Sequence, residues 1–592
     1  MNRFRSMIYK KYGLEVHWFV SASSLSMCCM YKFTGAVVER VSDPQMHALL
    51  SSGVRGGYAG VHQRYSEANI PGTPTYKPEE PEKHILLFDV NALYSHMMQK
   101  PLSVGDYKWM SQQELDGIKW EELSEEDEHM CIVSVDLSVP RHLRSRLDEF
   151  PPAVEKCKVP PEWYSNVQRD MIRDCGLKKA QLSEEKLVAH LHPKKNYLVH
   201  ALVLAAYIKM GVRVDAIHSG IRFRQAPYLR PYIQDLMTER QNAQYKFQQD
   251  VWKIFANVIY GQLLMNPRLH RKVDLVRTGE EFRKLAAQST FKSFTIFADE
   301  LVAVERAQSV VRMNNLPTAG LTVLDTSKKL MMEIYSELKN KLGSRMKLLV
   351  TDTDSLGVEI ETSDLVADLR SLMPILDTSG LPKDHPLYDQ TYARVQGRLK
   401  IEYGHFNILR FCGVRAKVYS LDVAGVKGER SVVMKCKGVN KSALRRTVTF
   451  DDYKNCVMNG AAKYVKSSSI LTDRRHNLFT VAQTKSCLRN FDGKRYILDC
   501  GIKTHSYGYD PLREGEQQEK EDDDNNQMFW EDMDADVAAQ VDQAVDRAEA
   551  DEVEAASAVA AFLRDDDDDW GEEALGLDPE MIDALKVLLN EQ

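Results

Sequence analysis

Two short apolar runs, far apart in the chain, each lead into carboxylates, and they constrain the fold more than any other feature. Residues 84–88 (HILLF) form a continuous apolar run bounded by polar residues, the pattern of a strand buried on both faces, and Asp89 sits at its end. Residues 346–350 (MKLLV) form a second run. It is followed by Thr351-Asp352-Thr353-Asp354-Ser355 and then by the alternating LGVEIE, which reads as a β-hairpin with acids at its turn. If the two strands are neighbours in one sheet, three hard oxygen donors converge on one point. Phosphoryl transfer uses such a point: divalent ions about 3.5–4 Å apart between shared carboxylates neutralise the developing charge. Mg2+ needs only one or two carboxylates besides the substrate phosphates. Taken alone, Asp-Thr-Asp is a polar turn and Asp89 an ordinary strand-end residue.

Between the two runs, residues 232–264 lack proline and carry apolar residues at helical spacing, among them Val251, Ile254, Phe255, Val258 and Ile259, so one or two long helices are expected. Lys253, Asn257 and Tyr260 fall at i, i+4 and i+7 on one face, with Gly261 beside the tyrosine, where no side chain obstructs a flat ligand. Such a face offers a cation to a triphosphate, an amide to hydrogen-bond and an aromatic surface to a base. An amphipathic helix with a wet polar face has the same pattern.

At 592 residues the chain is expected to hold two to four domains. Its 43% hydrophobic and 28% charged residues exclude a chain disordered throughout. The formal net charge of -7 conceals a division: residues 514–592 carry 28 acidic against 4 basic residues, leaving 74 Lys+Arg against 57 Asp+Glu over residues 1–513. A basic body of this kind suits a polyanion, because each Lys or Arg that meets a phosphate releases counterions, and nucleic acid is the leading partner. The acidic tail is low-complexity and reads as disordered, except that Asp578-Pro579 is a helix start followed by Met581, Ile582, Leu585, Leu588 and Leu589 at helical spacing. The ten cysteines contain no CxxC pair, which argues against zinc and for ordinary buried thiols in a reducing, intracellular compartment, with nucleus and cytoplasm not distinguished. The longest apolar stretch, near 198–210, is too short to span a bilayer, so no membrane partner is expected.

Four segments now line up in order: Asp89-Val90-Asn91-Ala92-Leu93-Tyr94, Lys253-Ile254-Phe255-Ala256-Asn257-Val258-Ile259-Tyr260-Gly261, Thr351-Asp352-Thr353-Asp354-Ser355, and Lys417-Val418-Tyr419. They resemble the DxxSLYP, KxxxNSxYG, YxDTDS and KxY motifs of family B DNA polymerases. Arg55-Gly56-Gly57 with Arg64-Tyr65 and Ala68-Asn69 before the first motif, and Lys435-Cys436-Lys437-Gly438-Val439 after the last, resemble the protein-primed branch of viruses, linear plasmids and Polinton-type elements. Ser95, Ala92, Val258 and Val350 depart from the usual Pro, Ser, Ser and Tyr, and none of these removes an acid.

The resemblance implies an α+β right-hand polymerase: a palm of antiparallel sheet plus helices, helical fingers, a small thumb, two insertions and the disordered acidic tail. The implied boundaries are 1–80 (linker to the palm with template-binding Arg-Gly-Gly), 81–111 (first part of the palm) and 112–226 (an insertion of the terminal-protein type). They continue with 227–264 (fingers), 265–345 (second insertion and palm elements), 346–430 (palm, catalytic hairpin and primer grip), 431–513 (thumb) and 514–592 (tail). Asp89 and Asp354 would hold two Mg2+ ions, with Mn2+ as a substitute, and Asp352 would assist as the third catalytic acid. The backbone of residues 90–93 would receive the triphosphate. Tyr94 would lie under the incoming sugar; Lys253 would bind nucleotide phosphates; Asn257, Tyr260 and Gly261 would shape the pocket for the nascent base pair. Lys417 and Tyr419 would hold the primer strand, and Arg55, Gly56 and Gly57 would contact template. Arg240 is a further phosphate candidate, and Arg410, Arg415, Lys427, Lys435, Lys437, Lys441, Arg445 and Arg446 would grip duplex product.

Implied partners are primer–template DNA, dNTPs, a terminal protein as primer and a separate exonuclease. The last follows because residues 9–43 offer Glu15, Glu39 and Asp43 without a DxE pair, so this chain is expected to lack proofreading. Competing readings are a metal-dependent nuclease, a reverse transcriptase, whose acidic turn is normally YxDD, and a catalytically inactive DNA-binding polymerase remnant.

Overall fold

The computed structural model describes residues 2–509 except 20, 267–270, 299–300, 311–312, 426–428 and 473–477. The acidic tail expected over 514–592, its terminal helix and Lys427 lie outside the described residues.

Both apolar runs become strands of one ten-stranded sheet. Its main path runs Ala59–Val61, Met346–Asp352, Ser355–Glu361, Lys83–Val90, Phe406–Arg415, Val418–Gly425 and Arg430–Cys436, antiparallel throughout. Leu399–Glu402 also pairs with Lys83–Val90, and Leu376–Asp377 joins it in the sheet's one parallel pairing. The 84–88 run is covered on both faces because its side chains alternate between two cores. Ile85 and Leu87 pack with Val61, Leu349, Phe411 and Tyr419, whereas Phe88 and Val90 pack with Leu356, Val358, Leu399 and residues of the helix Pro317–Leu342. With helices and antiparallel sheets combined in this way, the chain has the expected α+β class.

The proline-free stretch forms two helices, Arg230–Asn242 and Lys246–Leu263, broken where Ala243 turns extended. Val251, Phe255 and Ile259 are buried as the spacing predicts, and Ile254 is exposed. The helices Asn2–Tyr12 and Ala22–Thr34 pack on this pair, sharing a core of Ile8, Cys29, Tyr232, Trp252 and Phe255.

A separate four-stranded sheet runs Leu102–Trp109, Arg213–Ala226, His129–Ser138, Lys194–His200, and therefore crosses the boundary expected between 111 and 112. The apolar stretch near 198–210 contributes the end of the last strand and the helix Ala201–Lys209. Residues 265–315 form a compact unit of their own: a three-stranded sheet with the helix Gly279–Ala286 around Val276, Phe282, Val302 and Val304.

After the large sheet, the helices Lys441–Thr447 and Phe450–Asn459 and the hairpin Lys463–Thr472 with Leu478–Leu488 build a small core on Cys412, Val414 and Val418. Residues 489–509 then run back across the body. The buried Arg64 guanidinium donates to Asn490 Oδ1 (2.6 Å) and Gly501 O (3.0 Å), and Arg495 donates to Asp148 O (3.2 Å) and Ser506 Oγ (2.7 Å). All ten cysteines are free; Cys28 and Cys500 are exposed, contrary to the expectation of buried thiols throughout. Among the described residues no helix is long and apolar enough to cross a membrane.

Candidate active site

Asp89 is the penultimate residue of a central strand, with Ser355 opposite it on one side and Lys400 on the other. The Val90 N–H donates to Asp354 O at 2.8 Å, which ties the acidic turn to the strand end. Within that turn, Asp354 N–H donates to Asp352 O (2.8 Å), and Thr353 takes a left-handed φ of 71° while donating its N–H to Tyr58 O (2.8 Å). The sheet thus gathers the acids of residues 89, 352 and 354 at one end of neighbouring strands.

The electrostatics follow from that placement. Burial, and then the Asp354 carboxylate, raise Asp89 to about 7, with Glu402 adding to the effect and Lys400 and Lys435 opposing it. Asp354 is also raised, chiefly by burial and by Asp352, against Lys417. Asp352 instead faces the Lys417 ammonium, Nζ to Oδ1 2.6 Å. No group of three or more His, Cys, Asp or Glu among the described residues is arranged to hold a metal ion. Asp89 and Asp354 are two half-buried carboxylates, and Asp89 is raised in part by the charge of Asp354. Two carboxylates completed by substrate phosphates suit Mg2+.

Just beyond Asp89 in the chain, Tyr94 meets an aromatic ring from a different element. Tyr94, in the helix Leu93–Met97, stacks on Tyr260 of Lys246–Leu263 with centroids 4.4 Å apart and planes at 12°. Lys253, Asn257 and Gly261 are exposed along the same helix, and a Cβ added at Gly261 would meet nothing within 4 Å. The helix face foreseen in the sequence is open, and Tyr260 is the member of it that meets the strand-end acids' own segment.

One expectation needs correction. Arg55 is 8% exposed: its guanidinium stacks 3.8 Å over the Tyr197 ring and donates to Leu198 O, while its own carbonyl accepts from Lys328 Nζ at 3.0 Å. It is an internal clamp and presents no charge to a template strand. Gly57 faces Thr353, and a Cβ there would collide with Thr353 Cγ2, so this glycine permits close approach to the acidic turn; of the three, only Gly56 is exposed. Tyr419 is 4% exposed and packs beside Phe411; burial and then the Asp352 charge raise its pKa, with Asp89 and Asp354 adding to the effect, so its hydroxyl lies near the acids. Lys417 lies at the turn joining Phe406–Arg415 to Val418–Gly425, with a left-handed φ of 63°.

The sequence reading missed Lys400, which register sets opposite Asp89, Glu402, two residues further along the same strand, and Lys494. Lys494 is half-buried, and donates to Ala59 O (3.1 Å), the residue opposite Asp352; burial lowers its pKa, and Lys417 and Lys437 lie near enough to lower it further. No motif marks these three. Their positions depend on strand register and on the returning segment.

The family described as DNA polymerase type B, organellar and viral, matches residues 1–339. Among solved structures, Phi29 DNA polymerase in its ternary complex with primer-template DNA and incoming nucleotide substrates is similar at 13% identity and a TM-score of 0.50, covering 81% of this chain and 69% of that one. The orthorhombic crystal form of the same polymerase gives 13% identity and 0.50, covering 82% and 70%, and its complex with single-stranded DNA gives 12% and 0.50, covering 82% and 69%. At these identities the likeness speaks to fold alone. No curated protein matches the chain.

Proposed function

The chain belongs to the organellar and viral type B DNA polymerases, and from that premise we propose that the acids gathered at residues 89, 352 and 354 carry its templated nucleotidyl transfer. It is a DNA-directed DNA polymerase, and activity in this family depends on divalent metal. The ten-stranded sheet reads as the palm, the pair Arg230–Asn242 and Lys246–Leu263 as the fingers, and the elements from 441 to 488 as the thumb.

In the reaction the 3′-hydroxyl of a primer attacks the α-phosphorus of a dNTP and pyrophosphate leaves. Two Mg2+ ions, or Mn2+ in their place, held by Asp89 and Asp354 with the substrate phosphates, would lower the pKa of the attacking hydroxyl and neutralise charge on the leaving oxygens. This chain's own residues position the reactants. Exposed Lys253 offers its ammonium to the triphosphate, and the turn at 90–93 offers the N–H groups of Ala92 and Leu93, those of Val90 and Asn91 being held by Asp354 O and Arg398 O. Tyr94, braced by Tyr260, closes the space beneath the sugar, where a 2′-hydroxyl would have to fit. Lys417, held on Asp352, stands ready to exchange that carboxylate for a primer phosphate. Asn257 and Gly261 border the base pair, and exposed basic residues such as Lys441, Arg445 and Arg446 grip duplex product. A terminal protein that supplies the first hydroxyl, and a separate exonuclease, complete the proposed partners.

The observation that carries this reading is the register that sets Asp89 opposite Ser355 while Val90 N–H binds Asp354 O. Primer extension with Mg2+ tests it, comparing the wild type with Asp354→Asn. Extension should fall by at least about a thousandfold while affinity for primer–template is retained. An Asp354→Asn chain that extends normally overturns the assignment. Adding a terminal protein in place of a DNA primer tests the priming mode separately.

A further inference from the structure

Behind the turn that follows Asp89 lies a second carboxylate system, which no sequence motif marks. Asp377 ends the two-residue strand Leu376–Asp377. It sits opposite Lys400, which is itself opposite Asp89. Its side chain is 1% exposed, and no ion pair reaches it among the described residues. It is instead satisfied by four neutral donors: Asn91 Nδ2 (2.7 Å) and Arg394 N (2.8 Å) on Oδ2, and Ser379 N (3.1 Å) and Ser379 Oγ (2.6 Å) on Oδ1. Burial alone would raise its pKa, but these bonds outweigh burial and leave it lowered, so the group is a buried anion.

Asn91 is what this anion holds. Its amide is fixed by Asp377, its N–H donates to Arg398 O (2.8 Å), and its carbonyl accepts from Gly397 N (2.9 Å). The next residue, Ala92, takes φ 48° and ψ 50°, a left-handed conformation that an L-residue rarely adopts without support. Directly after it begins the helix that carries Tyr94 onto Tyr260. The clamp on Asn91 therefore sits in the chain between the metal-binding acid and the sugar-facing ring, and Asp377, Gly397 and Arg398 supply it.

We infer that Asp377 is a positioning residue for the incoming nucleotide: through Asn91 it holds the left-handed turn at Ala92, and so sets where the triphosphate backbone site and Tyr94 stand relative to Asp89. This rests on the reading of Asp89 and Tyr94 proposed above. Asp377 touches no substrate, and its effect should therefore appear in nucleotide binding and selection.

The test is steady-state dNTP incorporation by the full chain on primer–template with Mg2+. Asp377→Asn conserves volume but removes the charge and leaves one acceptor oxygen where two oxygens each accept from two donors. The KM for dNTP should rise by about tenfold or more, as expected when a hydrogen bond to a charged group is lost, with a smaller change in kcat. The preference for dNTP over rNTP should fall, and affinity for primer–template should be unchanged. Asn91→Ala should reproduce the KM shift, and the double variant should be no worse than either single one. Ser379→Ala, which loosens the other carboxylate oxygen without reaching Asn91, should leave KM unchanged.

An unchanged KM in both Asp377→Asn and Asn91→Ala overturns the inference. So does an equal shift in Ser379→Ala, which would make the effect general loosening of the loop. Should Asp377→Asn fail to fold, Asn91→Ala alone decides by the same criterion. Failure of the wild type to extend a primer would instead strike the functional reading on which the inference stands.

Discussion

Replacing Lys417 with glycine should separate stability from activity. The residue occupies the second position of a two-residue turn at φ 63°, where an L-side chain costs about 1–2 kcal/mol that glycine does not pay. The freer unfolded chain of a glycine variant takes back about 0.4–1 kcal/mol. The ion pair with Asp352 is also lost, but its side chains are 40% and 24% exposed, and solvent screening limits such a pair to about 0–1 kcal/mol. The net change in stability should therefore lie between about −1 and about +1.6 kcal/mol. Activity should not be spared. If the ammonium moves from Asp352 to a primer phosphate, its loss removes a charge-assisted hydrogen bond of about 1.5–3 kcal/mol, or about 10- to 150-fold in kcat/KM for primer–template. Thermal melting and primer extension over a range of primer concentrations measure the two quantities, with Lys417→Ala as comparator: it should lose the same activity and be less stable than the glycine variant. Destabilisation beyond about 3 kcal/mol would show that the ion pair supports the fold, and an unchanged kcat/KM would refute the primer contact.

Other consequences can be checked separately. Arg55→Ala should destabilise by about 2–4 kcal/mol through loss of the Tyr197 stack and the bond to Leu198 O, while the slope of log affinity for DNA against log salt stays the same; a slope reduced by about 1 would return Arg55 to the template. Tyr94→Val should cost about 0.5–1.5 kcal/mol of stability from the lost stack with Tyr260, and should lower selectivity for dNTP over rNTP; equal selectivity would remove Tyr94 from the sugar site. Lys194 is pushed by burial down to about 7, whereas an unfolded lysine titrates near 10.4. Between pH 7 and about 10 the unfolded chain then holds a proton that the folded chain lacks, so this residue makes stability climb with pH by up to about 1.4 kcal/mol per unit. Below pH 7 its contribution is flat. Urea unfolding of wild type and Lys194→Met over this range should differ in slope, and parallel profiles would contradict the shift.

The strand-end acids and the helix face were legible because each depends on local pattern. A continuous apolar run marks a strand covered on both sides, and Lys253, Asn257 and Gly261 share an exposed face because the helix period places them there. The segment 112–226 was not legible. Its sheet depends on pairing Arg213–Ala226 with both Leu102–Trp109 and His129–Ser138, and nothing local encodes that register. The burial of Arg55 was not legible for a related reason. A basic residue in a motif looks available until tertiary neighbours are known, and here Tyr197 covers it.

By itself the sequence determined that strands with terminal carboxylates, a helix with a cation–amide–aromatic face and a basic body belong to one chain, because hydrophobic periodicity and side-chain chemistry are properties of near neighbours. Only the tertiary structure decided which carboxylate pairs with Lys417, which arginine is sealed inside, and that Asp377 reaches across the sheet to hold Asn91. Those outcomes are set by strand register and by the need to satisfy every buried polar group, and both couple residues hundreds of positions apart.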